Sequence, residues 1–267
     1  MEITQQLLND VLELAKQAGE HSKVFYAKNL TVQTKSDNTP VTEADLFISQ
    51  FLTQKLTSIT PDIPVLSEEN CHIDFNERKQ WQAYWLIDPI DGTQQFISHT
   101  DQFSVMICLV QNNQPMLGVI HAPMLNRTYY AWREHGAFLI ENGITKKLPK
   151  IQPHNRTQIK IAIGSSNPEK IRQSIKSPYQ PEFIVYGSSS LKSGLVAEGI
   201  VDCYVRFGNT GEWDTAVADI LLHEVDCKIF DLSFQPLTYN QRETLINPYF
   251  VMGNCKLDWQ KIFQFNT

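Results

Sequence analysis

The hydrophobic period of this 267-residue chain changes twice, and each change narrows the folds open to it. Near the start, Ile3, Leu7, Leu8, Val11, Leu12, Ala15 and Ala18 recur at helical spacing and predict an amphipathic opening helix. A second helix is predicted after Thr42, with Ala44, Phe47, Ile48, Phe51, Leu52 and Leu56 on one face. Pro40 precedes it, and Thr42 followed three residues later by Asp45 reads as a capping pair. Residues 63–66 read as a short strand ending at Ser67-Glu68-Glu69. From residue 85 to 143 strand signals take over, with candidate strands at 85–87, 103–110, 118–121, 128–132 and 137–140 and a hairpin turn at Asn142-Gly143. After the polar stretch 145–157, the best linker, strands (159–163, 183–186, 202–207, 228–232) alternate with helices (189–198, 214–224). This order predicts an α/β protein of two subdomains, an α+β N-terminal half over residues 1–155 and an α/β C-terminal half over 156–267.

Charge narrows the partners. Lys plus Arg is 23 against 29 Asp plus Glu, a formal net charge of −6, and no Lys/Arg cluster exists to grip nucleic acid or an anionic membrane. A phosphorylated small molecule stays open, because a metal or a few local cations reverse the field. The longest apolar run, 105–110, is far short of a membrane span, and the N-terminus has no signal-peptide pattern. Five scattered cysteines without a Cys-x-x-Cys read as reduced thiols of a cytoplasmic protein.

The chemistry concentrates at Asp88-Pro89-Ile90-Asp91-Gly92-Thr93, which follows directly on the apolar Tyr84-Trp85-Leu86-Ile87. Two carboxylates and an intervening carbonyl within four residues suit a hard, oxygen-seeking cation such as Mg²⁺, although Asp, Pro and Gly are also ordinary turn residues. Glu68 ends another strand and could converge on the same point. Asp214 opens a helix beside Trp213, where an N-cap is the simpler role; Asp45 by itself is simply the partner of Thr42.

Taken together, the stretches 37–45, 67–69, 88–93 and 213–216 have the order and spacing of the inositol monophosphatase superfamily, which the chain resembles nearly from end to end. These are lithium-sensitive, magnesium-dependent phosphomonoesterases. The stretches 60–69, 81–88, 118–123 and 187–192 most resemble its bacterial 3′(2′),5′-bisphosphate nucleotidase branch, which serves sulfur assimilation. The resemblance implies a layered αβαβα sugar-phosphatase-like fold. It implies two or three Mg²⁺ ions held by Glu68, Asp88, Asp91, Asp214 and the Ile90 carbonyl. It assigns Glu68 and Thr93, the latter oriented by Asp45, to positioning and deprotonating the attacking water. Gly92 and Thr93 would hold the scissile phosphate, and Ser189, Lys192, Arg206 and Asp214 the rest of the substrate. Lys35 matches a basic residue near the metal centre of relatives.

The implied reaction converts adenosine 3′,5′-bisphosphate, and its sulfated form as a second substrate, to a 5′-nucleotide and phosphate. The alternatives are an inositol or sugar phosphatase with the same metal core and a metal-dependent nucleotide-binding module without turnover. A haloacid-dehalogenase-type reading of Asp91-Gly92-Thr93 fails because position 89 is proline where that chemistry needs an aspartate. Relatives also leave open a peripheral association with the inner membrane and a monomer or homodimer. Tyr204 and His121 are expected in the core more than in a base-stacking role. Gln95, Val217 and Ala218 depart from the usual pattern without removing a ligand.

Overall fold

The computed structural model describes residues 2–28, 32–34, 40–164 and 168–265. Helix α1 (Gln5–Tyr26) leads through the paired strands β1 (Val32–Thr34) and β2 (Pro40–Thr42) into α2 (Glu43–Ile59). The first large sheet comprises β3 (Val65–Ser67), β4 (Ala83–Asp91), β5 (Ser104–Gln111), β6 (Gln114–Ala122), β7 (Arg127–Trp132), β8 (Gly136–Glu141) and β9 (Ile144–Lys147), hydrogen-bonded in that order. Short helices α3 (Phe75–Arg78) and α4 (Thr93–Ile97) flank β4 in sequence. The second half runs β10 (Gln158–Ile163), α5 (Glu169–Ser174), β11 (Gln180–Val185), α6 (Ser189–Ala197), β12 (Cys203–Arg206), α7 (Trp213–His223), β13 (Cys227–Asp231), β14 (Phe250–Asn254) and α8 (Trp259–Ile262). Its sheet order is β11-β10-β12-β14-β13.

The continuous apolar runs are explained by burial on both faces. Along β4 and β5, Trp85, Ile87, Val105 and Ile107 point to a core shared with α1 and α2, whereas Tyr84, Leu86, Met106 and Cys108 point to one shared with α6 and α7. The same α6–α7 layer packs against the second sheet, whose far face carries Ile159, Ile161 and Val205 against Trp259 and Ile262. The layers are therefore αβαβα, as the resemblance implied. Val217, one of the departures, packs on α7 against β6, where a Cβ on Gly118 would lie 2.8 Å from the valine Cγ1. Bare backbone at Gly118 makes room for the branched side chain.

Three expectations are corrected. Residues 145–147 are not linker but part of the exposed edge strand β9, paired to β8 across the predicted Asn142-Gly143 turn; the connecting loop begins at Leu148. Strand β4 does not end at Ile87 but continues to Asp91. Strand β14, absent from the sequence reading, sits between β12 and β13 and is antiparallel to both.

His121 lies in the core, its Nδ1 2.8 Å from the Thr128 hydroxyl and its ring against Gly19 of α1. Burial holds its imidazole down to about 4. Its stability contribution is therefore complete above the unfolded value near 6.5 and is lost as pH falls toward 4. Between pH 7 and pH 5 the parent should lose about 2 kcal/mol relative to His121→Gln, read from urea unfolding of both proteins at each pH. Parallel pH dependences would show that burial does not disfavour the charged ring.

Candidate active site

The site is built where β4 changes character. The β4–β5 register shifts by one residue between Asp88 and Asp91, a β-bulge around Pro89 and Ile90. Residues three apart on a regular strand face opposite sides; the extra residue returns Asp91 to the side of Asp88. Proline suits this place because a bulge residue needs no ladder hydrogen bond. Gly92 then turns at φ +92°, and a Cβ there would sit 2.8 Å from the Ser188 side chain, so the turn needs glycine both for conformation and for space.

Asp88, Asp91 and Asp214 each direct a carboxylate oxygen into one group, all within 4.8 Å of one another. Each also has one carboxylate oxygen tied to a backbone amide. Asp88 Oδ1 accepts from the Ile90 amide at 3.0 Å, Asp214 Oδ2 from the Gly211 amide at 2.6 Å, and Asp91 Oδ2 from the Ser190 amide at 2.8 Å. None of the three forms an ion pair among the described residues. Burial, then the charges of Glu68, Asp91 and Asp214, push the Asp88 carboxyl well above the ordinary range. Burial and Asp91 do the same to Asp214. Crowded carboxylates of this kind, with the Ile90 carbonyl on the same wall, are an all-oxygen donor set that a divalent cation fits.

Asp45 serves both roles that the sequence left competing. Its Oδ2 accepts from the Thr42 amide at 2.8 Å and hydroxyl at 2.6 Å, closing the capping box of α2; its Oδ1 accepts the Thr93 hydroxyl at 3.3 Å. The Thr93 hydroxyl is also 3.2 Å from the Ile90 carbonyl. Glu68, Gly92 and Thr93 line the same cleft, of about 400 Å³, with the three aspartates.

The opposite wall comes from the second half: Ser188, Ser189, Lys192, Arg206 and Ile246. Ser189 is buried and reaches the Tyr204 hydroxyl at 3.3 Å. Arg206 is half-buried, and its Nε has no protein hydrogen-bond partner among the described residues. Lys192, which the resemblance places toward the substrate, lines this cleft from a buried position. It is 2% exposed; its ammonium donates to the carbonyls of Tyr186, Gly187 and Ser188 and lies 5.0 Å from the Tyr204 ring. Burial lowers it to about 8. It thus clamps the turn before α6 and lends the wall a buried positive charge. Tyr204 and His121 are core residues, and Lys35 lies outside the described residues.

Two contributors escaped the sequence reading. Gly211 holds Asp214 through its amide, a role that leaves no trace in residue type. Ser190, one of three consecutive serines, holds Asp91 through both its amide and its hydroxyl; helix periodicity did not say which serine faces the aspartate.

Residues 4–260 match the inositol monophosphatase family. The chain is 59% identical over 266 residues, 99% of both chains, to the 3′(2′),5′-bisphosphate nucleotidase CysQ of Haemophilus influenzae. It is 56% identical, again over 99% of both, to the protein of that name from Aggregatibacter actinomycetemcomitans. Among solved structures, CysQ from Bacteroides thetaiotaomicron superposes with a TM-score of 0.79 at 29% identity, covering 95% of this chain and 98% of that one. With the layered fold, the carboxylate group and a match over nearly its whole length, the chain belongs to the inositol monophosphatase family.

Proposed function

We propose that this protein is a Mg²⁺-dependent phosphomonoesterase that hydrolyses the 3′-phosphate of adenosine 3′,5′-bisphosphate to AMP and phosphate. The observation that carries this reading is the 59% identity, end to end, to a relative named for that activity, in a chain with three cleft aspartates converging within 4.8 Å. Asp88, Asp91, Asp214, Glu68 and the Ile90 carbonyl would hold two or three Mg²⁺ ions. Once bound, these supply the positive charge that acidifies water and offsets charge building on the phosphate and the leaving oxygen. Thr93, held by Asp45, positions the attacking water, and Glu68 takes its proton. Water oxygen adds to phosphorus as the bond to the 3′-oxygen breaks, and that oxygen takes a proton from solvent water to leave as the ribose hydroxyl. Gly92 and Thr93 cradle the transferred phosphate, while Ser189, Arg206 and the charge of buried Lys192 favour the second one. The free thiols of Cys108, Cys203, Cys227 and Cys255 support a reducing, cytoplasmic setting. No helix among the described residues is long and apolar enough to cross a membrane.

The deciding experiment measures phosphate release from adenosine 3′,5′-bisphosphate and inositol 1-phosphate in parallel, with Mg²⁺, with chelator and with Li⁺. Metal-dependent, Li⁺-suppressed preference for the nucleotide is expected; preference for the inositol ester would overturn the substrate, and no release from either would overturn the enzyme. Thr93→Ala should lower kcat by about 10² to 10³ while leaving the metal dependence nearly unchanged. A selective loss of metal binding in that variant would contradict the water-positioning role.

A further inference from the structure

Asp91 is held differently from Asp88 and Asp214, the other two members of the carboxylate group. Its Oδ2 receives two donors from one residue, the amide and the hydroxyl of Ser190 at the start of α6, 99 positions away in sequence. The Ser190 hydroxyl is itself completely engaged. It lies 2.7 Å from the Ser104 hydroxyl and 3.0 Å from that of Ser188. A serine hydroxyl has one proton and two lone pairs. Since the proton goes to Asp91, both other hydroxyls must donate to Ser190, which fixes the direction of every bond in the cluster. Ser190 is fully buried, and Ser104 is the residue of β5 paired across the bulge with Asp91. Among the described residues, Asp91 Oδ1 accepts no hydrogen bond.

We infer that Ser190 is a positioning residue which divides the two oxygens of Asp91, reserving Oδ2 for the protein and presenting Oδ1 to the divalent cation. This rests on the metal-dependent reading of the cleft. A carboxylate free to rotate would lose orientation entropy on binding and could chelate a cation through both oxygens. Pinning one of them leaves a single-oxygen ligand in a set position. Because Ser190 and Ser188 belong to the second half while Asp91 and Ser104 belong to the first, the same three hydroxyls tie the metal ligand to the placement of α6 against the sheet.

The test titrates Mn²⁺ alone into the intact protein, following free Mn²⁺ by electron paramagnetic resonance, so no substrate enters the readout. Ser190→Ala should weaken Mn²⁺ binding by about tenfold, and Ser190→Thr, which keeps the hydroxyl, should recover most of it. At saturating Mg²⁺ the KM for the nucleotide should change little in either variant. Ser104→Ala, which removes one donor and keeps Ser190, should weaken Mn²⁺ by a smaller factor of about three, and it carries the test if Ser190→Ala fails to fold. Mn²⁺ affinity within twofold of the parent in the folded variants overturns the inference. Phosphate release by the parent decides the proposed reaction separately: an inactive parent whose Mn²⁺ binding still depends on Ser190 would sink that reading alone.

Discussion

Asp91→Asn is expected to lower kcat for phosphate release by roughly 10³ or more, several kcal/mol of lost transition-state stabilisation, without unfolding the protein. The asparagine carbonyl can still accept from the Ser190 amide, so the contact to α6 has a substitute. What vanishes is the anionic oxygen facing Asp88 and Asp214 in the group of 4.8 Å extent. An amide nitrogen placed there donates where a cation needs a donor of electrons. The metal-free variant should melt at or above the parent temperature, because Asp91 is one of the charges that push Asp88 and Asp214 up. Steady-state kinetics at saturating Mg²⁺ and melting in chelator check the two halves of this expectation. Activity within tenfold of the parent would remove Asp91 from the mechanism.

Arg78→Met should destabilise the protein by about 3–5 kcal/mol, although Arg78 touches no residue of the cleft group. Its guanidinium, 1% exposed, donates to Asn240 Oδ1 at 2.7 Å, to the Arg242 carbonyl at 2.9 Å and to the Glu243 carbonyl. Asn240 returns a bond to the Arg78 carbonyl at 2.6 Å and donates its amide to Glu212 at 2.8 Å. Glu212 is fully buried, receives Arg242 at 3.3 Å and stands two residues before Asp214. Burial raises its carboxyl to about 7. Methionine would fill much of the volume but leave two carbonyls and an amide oxygen without donors, each costing about 1–3 kcal/mol. Thermal melting should fall by about 10 °C. Part of the activity should go with it, through looser placement of the α7 start. A shift below 2 °C would mean that water replaces the guanidinium at no cost.

These two residues mark the boundary of what could be read in advance. Asp91 was legible because its chemistry is local: an apolar strand running into Asp-Pro-Ile-Asp-Gly-Thr announces a functional turn before any fold is known. The same holds for Thr42 and Asp45, whose capping geometry spans one helical turn, and for the α1, α2 and α7 patterns. Arg78 carried no signal, since its partners lie more than 160 positions away.

The chain alone thus determined its longer helices and most of its central strands, its αβαβα class by resemblance, and which carboxylates are candidates for a cation. Those follow from hydrophobic period and local steric rules, which act over a few residues. Tertiary structure decided how the candidates meet. A one-residue bulge puts Asp88 and Asp91 on the same side, the Gly211 amide orients Asp214, and Ser190 of the second half orients Asp91 of the first. It also buried Lys192 as a clamp on the 186–188 carbonyls and drew residues 145–147 out of the predicted linker into the sheet. Each of these outcomes depends on which distant backbone amide or carbonyl lies within about 3 Å of a side chain, and packing of the layers sets that distance.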